Sequence, residues 1–312
     1  MNLLITGASG LVATELIFSL LKNKDYHLTL LSRNTDEIFD RYGHYHNQIE
    51  SITIEEAYQR IPYPKYDCVI HTAFARSPNG HDIAASLSYL SNLCTWLKEG
   101  IVRKFINISS QSVYGSDYKA GIKESETCSP DYLYAMGKYA SEIIVTGFFT
   151  DTSTEVINLR LASVCENARF MKIFVGKALN GEKIELTAPQ QTVSFIDVRD
   201  VSTAILQIIA QKHSVSGTYN LGTGQWYTIK HVTERIKELG EQEYNIKPLL
   251  IKITNNHNSS SIGMSNELFT KTFHWTSNYT LDDMIRSLYE MLTNANGGGV
   301  KFPISFKVVY HL

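Results

Sequence analysis

The chain has 312 residues, with 29 basic and 31 acidic side chains well mixed along it and a formal charge of -2. That balance excludes a basic footprint for nucleic acid or an acidic tail, and no run of about 18 apolar residues is present to span a membrane. The opening Met1-Asn2-Leu3-Leu4-Ile5-Thr6-Gly7 lacks a basic stretch, and Cys68, Cys94, Cys128 and Cys165 are widely spaced with no CxxC. No signal peptide, disulfide framework or zinc site is therefore expected, and the expected location is a reducing cytoplasm.

In chain order, the apolar Leu3-Leu4-Ile5 predicts a strand over 2–6 and a helix over 10–22. Between them lies the turn Thr6-Gly7-Ala8-Ser9-Gly10-Leu11-Val12-Ala13. Gly7 and Gly10 remove the side chains that would keep a pyrophosphate from the backbone, and a helix starting near Gly10 offers it free N–H groups. Ser9 and Leu11 complete this candidate dinucleotide turn. A second strand over 27–32 ends in Ser32-Arg33-Asn34, with no carboxylate before Asp36. An arginine there suits a 2′-phosphate, which favours NADP over NAD; otherwise Arg33 is a solvated loop residue.

Further strands are expected over 68–72, 104–109 and 155–161, with a helix over 82–98. Alternating strands and helices predict an α/β fold with a doubly wound parallel sheet. After about residue 165 the pattern loosens. Short strands at 184–186 and 194–196, a helix over 198–210 and a returning strand over 217–221 are expected. The reading divides the chain into a cofactor domain, 1–165 plus 193–222, and a smaller mixed α/β substrate lobe, 166–192 plus 223–295. Residues 255–261 read as a polar loop, and no role is read for the tail 296–312.

Two segments carry candidate chemistry. Ser109-Ser110-Gln111-Ser112-Val113-Tyr114-Gly115 follows one expected strand, and Tyr134-Ala135-Met136-Gly137-Lys138 lies on an expected helix. Tyr134 and Lys138 are i and i+4 and share a helix face. A phenol titrates at about 10, too high for a base at neutral pH, and a nearby cation favours the phenolate. Tyr134 then moves a proton while hydride moves at a nicotinamide, Lys138 holds the nicotinamide ribose, and Ser110 orients the substrate oxygen.

The order of glycine-rich turn, strand-end serines and YxxxK resembles the short-chain dehydrogenase/reductase superfamily. The closest likeness is to its extended branch of sugar-nucleotide epimerases, reductases and dehydratases. The likeness spans roughly residues 1–292 and includes His71-Thr72-Ala73-Phe74-Ala75, Asn158-Leu159-Arg160, Phe195-Ile196-Asp197-Val198-Arg199-Asp200-Val201 and Gly217-Thr218-Tyr219-Asn220-Leu221-Gly222-Thr223-Gly224. It implies a Rossmann domain, NAD or NADP as cofactor, and cofactor contacts from Thr72, Ala73 and Ala75. It also implies that 195–201 and 222–224 are scaffold.

The chain departs from the pattern at several positions. Dehydratases of this branch carry Thr-Asp-Glu where this chain has Ser110-Gln111-Ser112, so dehydration is not expected. The arginine that binds a diphosphate before the Phe-Ile segment is replaced in Gln191-Thr192-Val193-Ser194-Phe195, and no second arginine stands near 259–264. Ser86 replaces a frequent asparagine. Ser112 and Asn167 should border the substrate, with Arg169 and Arg76 as substitute phosphate ligands. The reading is an oxidoreductase or epimerase for a keto or hydroxyl group of a nucleotide-linked sugar, with a homodimer left open. The alternatives are an NADPH-dependent reductase of a simple ketone or aldehyde and a non-catalytic NAD(P) sensor.

Overall fold

The structure, a computed structural model, describes residues 1–60, 63, 65–116, 121–254 and 263–296. The 255–261 loop and the tail beyond 296 lie outside the described residues, apart from Asn296 itself, where the last helix ends.

Seven strands form one sheet: β1 (Asn2–Thr6), β2 (His27–Leu31), β3 (Ile49–Ile52), β4 (Lys65–His71), β5 (Ile101–Ser110), β6 (Glu155–Leu161) and β10 (Gly217–Leu221). Their spatial order is β3-β2-β1-β4-β5-β6-β10, and every neighbouring pair is parallel. The crossovers carry α1 (Leu11–Leu20), α2 (Thr35–Tyr42), α3 (Ile54–Tyr58), α4 (Gly80–Lys98), α5 (Leu133–Phe149) and α7 (Val198–Ala210). The chain order reverses between β1 and β4, so the crevice at their C-terminal ends is where a doubly wound sheet takes its ligand.

The apolar strand runs have a direct cause. Leu3 and Ile5 of β1, Cys68 and Ile70 of β4, and Ile106 of β5 enter one core with Leu16 and Ile17 of α1 and Ile205 and Ile208 of α7. The alternate residues Leu4, Val69 and Phe105 enter a second core with Leu90 and Leu93 of α4 and Val145 of α5. With both faces covered, every strand position favours an apolar side chain.

The remaining elements are β7 (Ser163–Val164), α6 (Arg169–Leu179), β8 (Ile184–Leu186), β9 (Thr192–Ile196), β11 (Trp226–Thr228), α8 (Ile229–Glu243), β12 (Ile251–Ile253), α9 (Glu267–Phe273) and α10 (Leu281–Asn296). β9 pairs with β7 and β11, and β8 with β12. A third core joins Met171 and Phe174 of α6, Val232 and Ile236 of α8, and Met284, Ile285 and Leu288 of α10. Arg199 of α7 ties this part to the sheet domain: its side chain donates to the Asp197 carboxylate at 2.8 and 2.6 Å and to Ser287 Oγ of α10 at 2.9 Å. Asp200 accepts from the backbone N–H groups of Asn278 and Tyr279 at 2.9 and 3.1 Å.

Several expectations are corrected, among them β5, which starts at Ile101 rather than 104, β9, which starts at Thr192 rather than 194, and α4, which starts at Gly80 rather than 82. Strand β3 has no counterpart in the sequence reading, because it is a short edge strand whose polar Glu50 and Ser51 break the apolar run. Strand β4 starts at Lys65 rather than 68, and α1 ends at Leu20 rather than 22.

Candidate active site

The glycine-rich turn leaves β1 and enters α1 without a capping side chain, and no acidic residue stands in the first turn of that helix. Its first N–H groups are therefore left to a ligand. Gly7 has φ +70, and a Cβ there would lie 2.9 Å from Ala73 Cα, Ala73 N and Thr72 Oγ1. The close approach is held by Thr72 Oγ1, which donates to the Thr6 carbonyl at 2.7 Å, and by Ala73 N–H, which donates to Thr6 Oγ1 at 3.3 Å. The turn thus fits a pyrophosphate. Gly7→Ala is expected to cost about 1–3 kcal/mol of stability, the scale of a strained backbone position. It should also weaken NAD(H) binding about 10-fold or more, on the scale of one lost interaction of about 1.4 kcal/mol. Denaturant unfolding and a cofactor titration check both, and unchanged values would show that the turn is no cradle.

At the opposite side of the crevice, β5 ends at Ser110. Its hydroxyl oxygen accepts from the Ser112 N–H at 3.2 Å and from the Ser112 hydroxyl at 3.0 Å. With those acceptor positions filled, Ser110 has its proton left to donate, and Tyr134 lies within its hydrogen-bond reach. Tyr134 stands in the first turn of α5, edge-on to Phe74 with ring centres 6.0 Å apart. Burial raises its phenol above the usual range, while the Arg76 guanidinium and a hydrogen bond with Ser110 pull it down.

Lys138, one turn further along α5, is buried, donates to the Ile108 carbonyl at 2.7 Å and lies 4.3 Å above the Phe74 ring. Burial lowers its amine to about 7, against the pull of Glu142. Gly137 makes this packing possible, since a Cβ there would lie 2.5 Å from Ile83 Cγ2 and 3.0 Å from Phe74 Cζ. Phe74 and Gly137 were not singled out at the sequence level; the glycine inside the YxxxK helix was the available signal.

These groups share a cavity of about 530 Å³, within the range of small-molecule sites. Gly10, Leu11, Thr72, Arg76, Ser110, Ser112, Tyr134, Lys138, Asn167 and Arg169 all line it. Arg76 reaches from the loop after β4 and donates to the Asn167 carbonyl at 3.2 Å. The described lining residues include the cations Arg76, Lys138 and Arg169 and no Asp or Glu.

Other expected contacts stand outside the lining. Gly7, Ser9, Arg33, Ala73 and Ala75 are not among the cavity's lining residues, and the Ala75 N–H is taken by Ser86 Oγ at 3.0 Å. Ser86 donates in turn to the Asp82 carbonyl at 2.9 Å, so it fastens α4 to the 72–75 segment. Arg33 is exposed and makes no hydrogen bond or ion pair among the described residues. The cation that touches the glycine-rich turn is Arg41, which donates to the Ser9 carbonyl at 3.3 Å and to Thr14 Oγ1 at 2.9 Å.

Beneath the site runs a buried polar network. Arg160 of β6 donates to both carboxylate oxygens of Glu142 on α5, at 2.9 and 2.7 Å, and Ser109 donates to the same carboxylate at 2.5 Å. Arg160 also donates to the Tyr114 hydroxyl at 2.9 Å, which donates to Asn220 Oδ1 at 2.7 Å. The network joins β5, β6, β10 and the Tyr134–Lys138 face of α5.

A seven-stranded parallel sheet, an open glycine-rich turn at its switch point and a Tyr–Lys pair facing strand-end serines define an extended short-chain dehydrogenase/reductase. The chain belongs to the NAD dependent epimerase/dehydratase family, whose model matches residues 3–222. It is 24% identical over 265 residues to the trifunctional UDP-glucose 4,6-dehydratase/UDP-4-keto-6-deoxy-D-glucose 3,5-epimerase/UDP-4-keto-L-rhamnose-reductase RHM3 of Arabidopsis thaliana, covering 76% of this chain and 39% of that protein. The chain thus spans well under half of that relative. It is 25% identical over 305 residues to the CDP-abequose synthase of Salmonella muenchen, covering 93% of this chain and 97% of the relative. The UDP-glucuronic acid 4-epimerase of Bacillus cereus, solved with UDP-glucuronic acid and NAD, has the same fold: TM-score 0.78 at 17% identity, over 95% of this chain and 100% of that one. No helix among the described residues is long and apolar enough to cross a membrane.

Proposed function

We propose that the protein is an NAD(P)-dependent oxidoreductase or epimerase acting on a keto or hydroxyl group of a nucleotide-linked sugar. The observation that supports this reading is the meeting of Ser110, Tyr134 and Lys138 with the uncapped start of α1 in one cavity whose described lining includes no carboxylate. Among the described lining residues no Asp–Glu pair stands to perform acid–base elimination of water, whereas a phenol stands there for proton transfer. When bound, the nicotinamide supplies or takes the hydride. Tyr134 gives the proton to the substrate oxygen or takes it away, Ser110 donates to the same oxygen, and Lys138 keeps a cation beneath them. Residues 1–165 with 193–222 serve as the cofactor domain, and 166–192 with 223–295 as the substrate lobe. Asn167, Ser112, Arg169 and Arg76 meet the substrate, the arginines replacing the missing diphosphate ligands.

Calorimetry with UDP, dTDP, CDP and GDP tests the substrate class, and at least one is expected to bind. No binding by any of the four at millimolar concentration would remove the nucleotide and promote the second reading, an NADPH-dependent reductase of a simple ketone or aldehyde. The absence of an arginine in Gln191-Thr192-Val193-Ser194-Phe195 favours that second reading. For the cofactor, NADP(H) is expected to bind more tightly than NAD(H), with the preference weakened in Arg33→Ala. Titrating both cofactors decides this, since equal wild-type affinities leave Arg33 a solvated loop residue.

A further inference from the structure

Ser110, Ser112, Tyr132 and Tyr134 all line the cavity, and their hydroxyls are linked in series. Tyr134 is in hydrogen-bond contact with Ser110. Ser112 donates its hydroxyl proton to Ser110 Oγ at 3.0 Å. The Tyr132 phenol is in hydrogen-bond contact with Ser112 in turn. Because Ser112 gives its proton to Ser110, Tyr132 is the donor in that last contact. The result is one directed chain, from Tyr132 through Ser112 and Ser110 to Tyr134.

The two ends of the chain differ in their access to water. Tyr132 stands at the N-cap of α5 with an extended backbone, and its carbonyl accepts from the Met136 N–H at 3.0 Å. Its ring stacks on that of Tyr134, with centres 6.3 Å and planes 19° apart. Tyr132 is 37% exposed, whereas Tyr134 is half-buried behind it. The Arg76 guanidinium acts on both phenols, so negative charge on either one is met by a cation. We propose that Tyr132 is the outer end of a proton relay that reloads Tyr134 from solvent. Once Tyr134 has given its proton to the substrate oxygen, the Ser110 proton moves to the Tyr134 oxygen. In the same concerted shift the Ser112 proton moves to Ser110, the Tyr132 proton to Ser112, and a hydronium or buffer acid replaces the proton of Tyr132. Each oxygen loses one O–H bond and gains one, every hydroxyl ends neutral, and one solvent proton is consumed. An epimerase returns the proton it takes and consumes none. The relay therefore narrows the sugar-nucleotide reading above, on which it rests, to net reduction of a keto group.

Two measurements on the whole protein test it, using Tyr132→Phe, which keeps the stacked ring, and Ser112→Ala, which removes a middle link. The first needs no substrate. With NADP(H) bound, exchange of the Tyr134 hydroxyl proton into deuterated water is followed by NMR of isotope-labelled tyrosine, its signal identified by its loss in Tyr134→Phe. Exchange is expected to slow about 10-fold or more in both variants, the effect of losing a positioned proton-transfer group. An unchanged rate overturns the relay. The second follows a single turnover of the 4-keto-6-deoxy sugars of UDP, dTDP, CDP and GDP, by NADPH absorbance and by a pH-indicator dye together. Wild-type proton uptake should keep pace with hydride transfer, while in Tyr132→Phe uptake should lag about 10-fold behind an unchanged hydride step. Uptake still in step with hydride transfer in the variant overturns the proposal, as does an equal loss in both signals, the mark of a merely structural role. No turnover of any of the four sugars by the wild type removes the sugar-nucleotide reading, and the exchange rate then decides the relay by itself.

Discussion

Tyr134→Phe is expected to keep the fold and the cofactor affinity while lowering kcat roughly 100-fold or more, the scale of a lost general acid–base group. The hydroxyl is the only part removed, and the ring keeps its edge-on contact with Phe74. Near-normal turnover of the purified variant would sink the assignment. The pH profile of the wild type carries a second expectation. Lys138 titrates at about 7, so its ammonium is present on the acid side of that value and lost above it. For the reduction direction, kcat/KM should be flat at acid pH and fall above about pH 7, because this ratio reports groups of the free enzyme. Tyr134 does not set that limb, since burial pushes its phenol upward. Lys138→Arg, which stays charged, should move the limb to higher pH. The sign for stability is the reverse of an ordinary salt bridge. Between about 7 and the ordinary lysine value of 10.5 the unfolded chain holds the proton that the folded chain has released, so stability should rise with pH across that window.

Glu142→Ala is expected to destabilise the protein by about 3–5 kcal/mol, because it leaves the buried Arg160 guanidinium without its counter-ion. Both side chains are only 6% exposed, so water does not screen the loss. Denaturant unfolding measures it. The double variant Glu142→Leu, Arg160→Met should recover much of the stability, since an apolar pair needs no partner. A cost below about 1 kcal/mol for the single variant would show that the ion pair contributes no more than a surface one.

The parts of the fold legible in the sequence were those with a strong local cause. The strands that feed two cores read as apolar runs, and both the helix over 198–210 and the strand over 217–221 were found at their observed bounds. The edge strand β3 was not legible, because only one of its four residues is buried. At the site, the order and spacing of the motifs, together with the family resemblance, pointed to Ser110, Tyr134 and Lys138, which line one cavity. Phe74 was not legible, since its place against Tyr134 and Lys138 comes from contacts between segments 60 to 64 residues apart in the chain. Arg33 and Arg41 show the same limit: sequence position pointed to the first, while the folded turn is touched by the second.

The order in which the three cores are completed has a consequence for synthesis. All seven strands of the main sheet precede Gly222, whereas the third core needs α8 and α10 to close around α6. A chain emerging from the ribosome therefore possesses all seven strands of its main sheet, and Phe195 for Phe170 to pack against, before α8 and α10 exist to close over α6. Until Leu281 and the residues after it appear, Met171, Phe174 and Val175 of α6 are apolar groups without their final neighbours. That interval is the one in which a nascent chain would engage a chaperone or aggregate, and an early-bound dinucleotide would steady only the half already built.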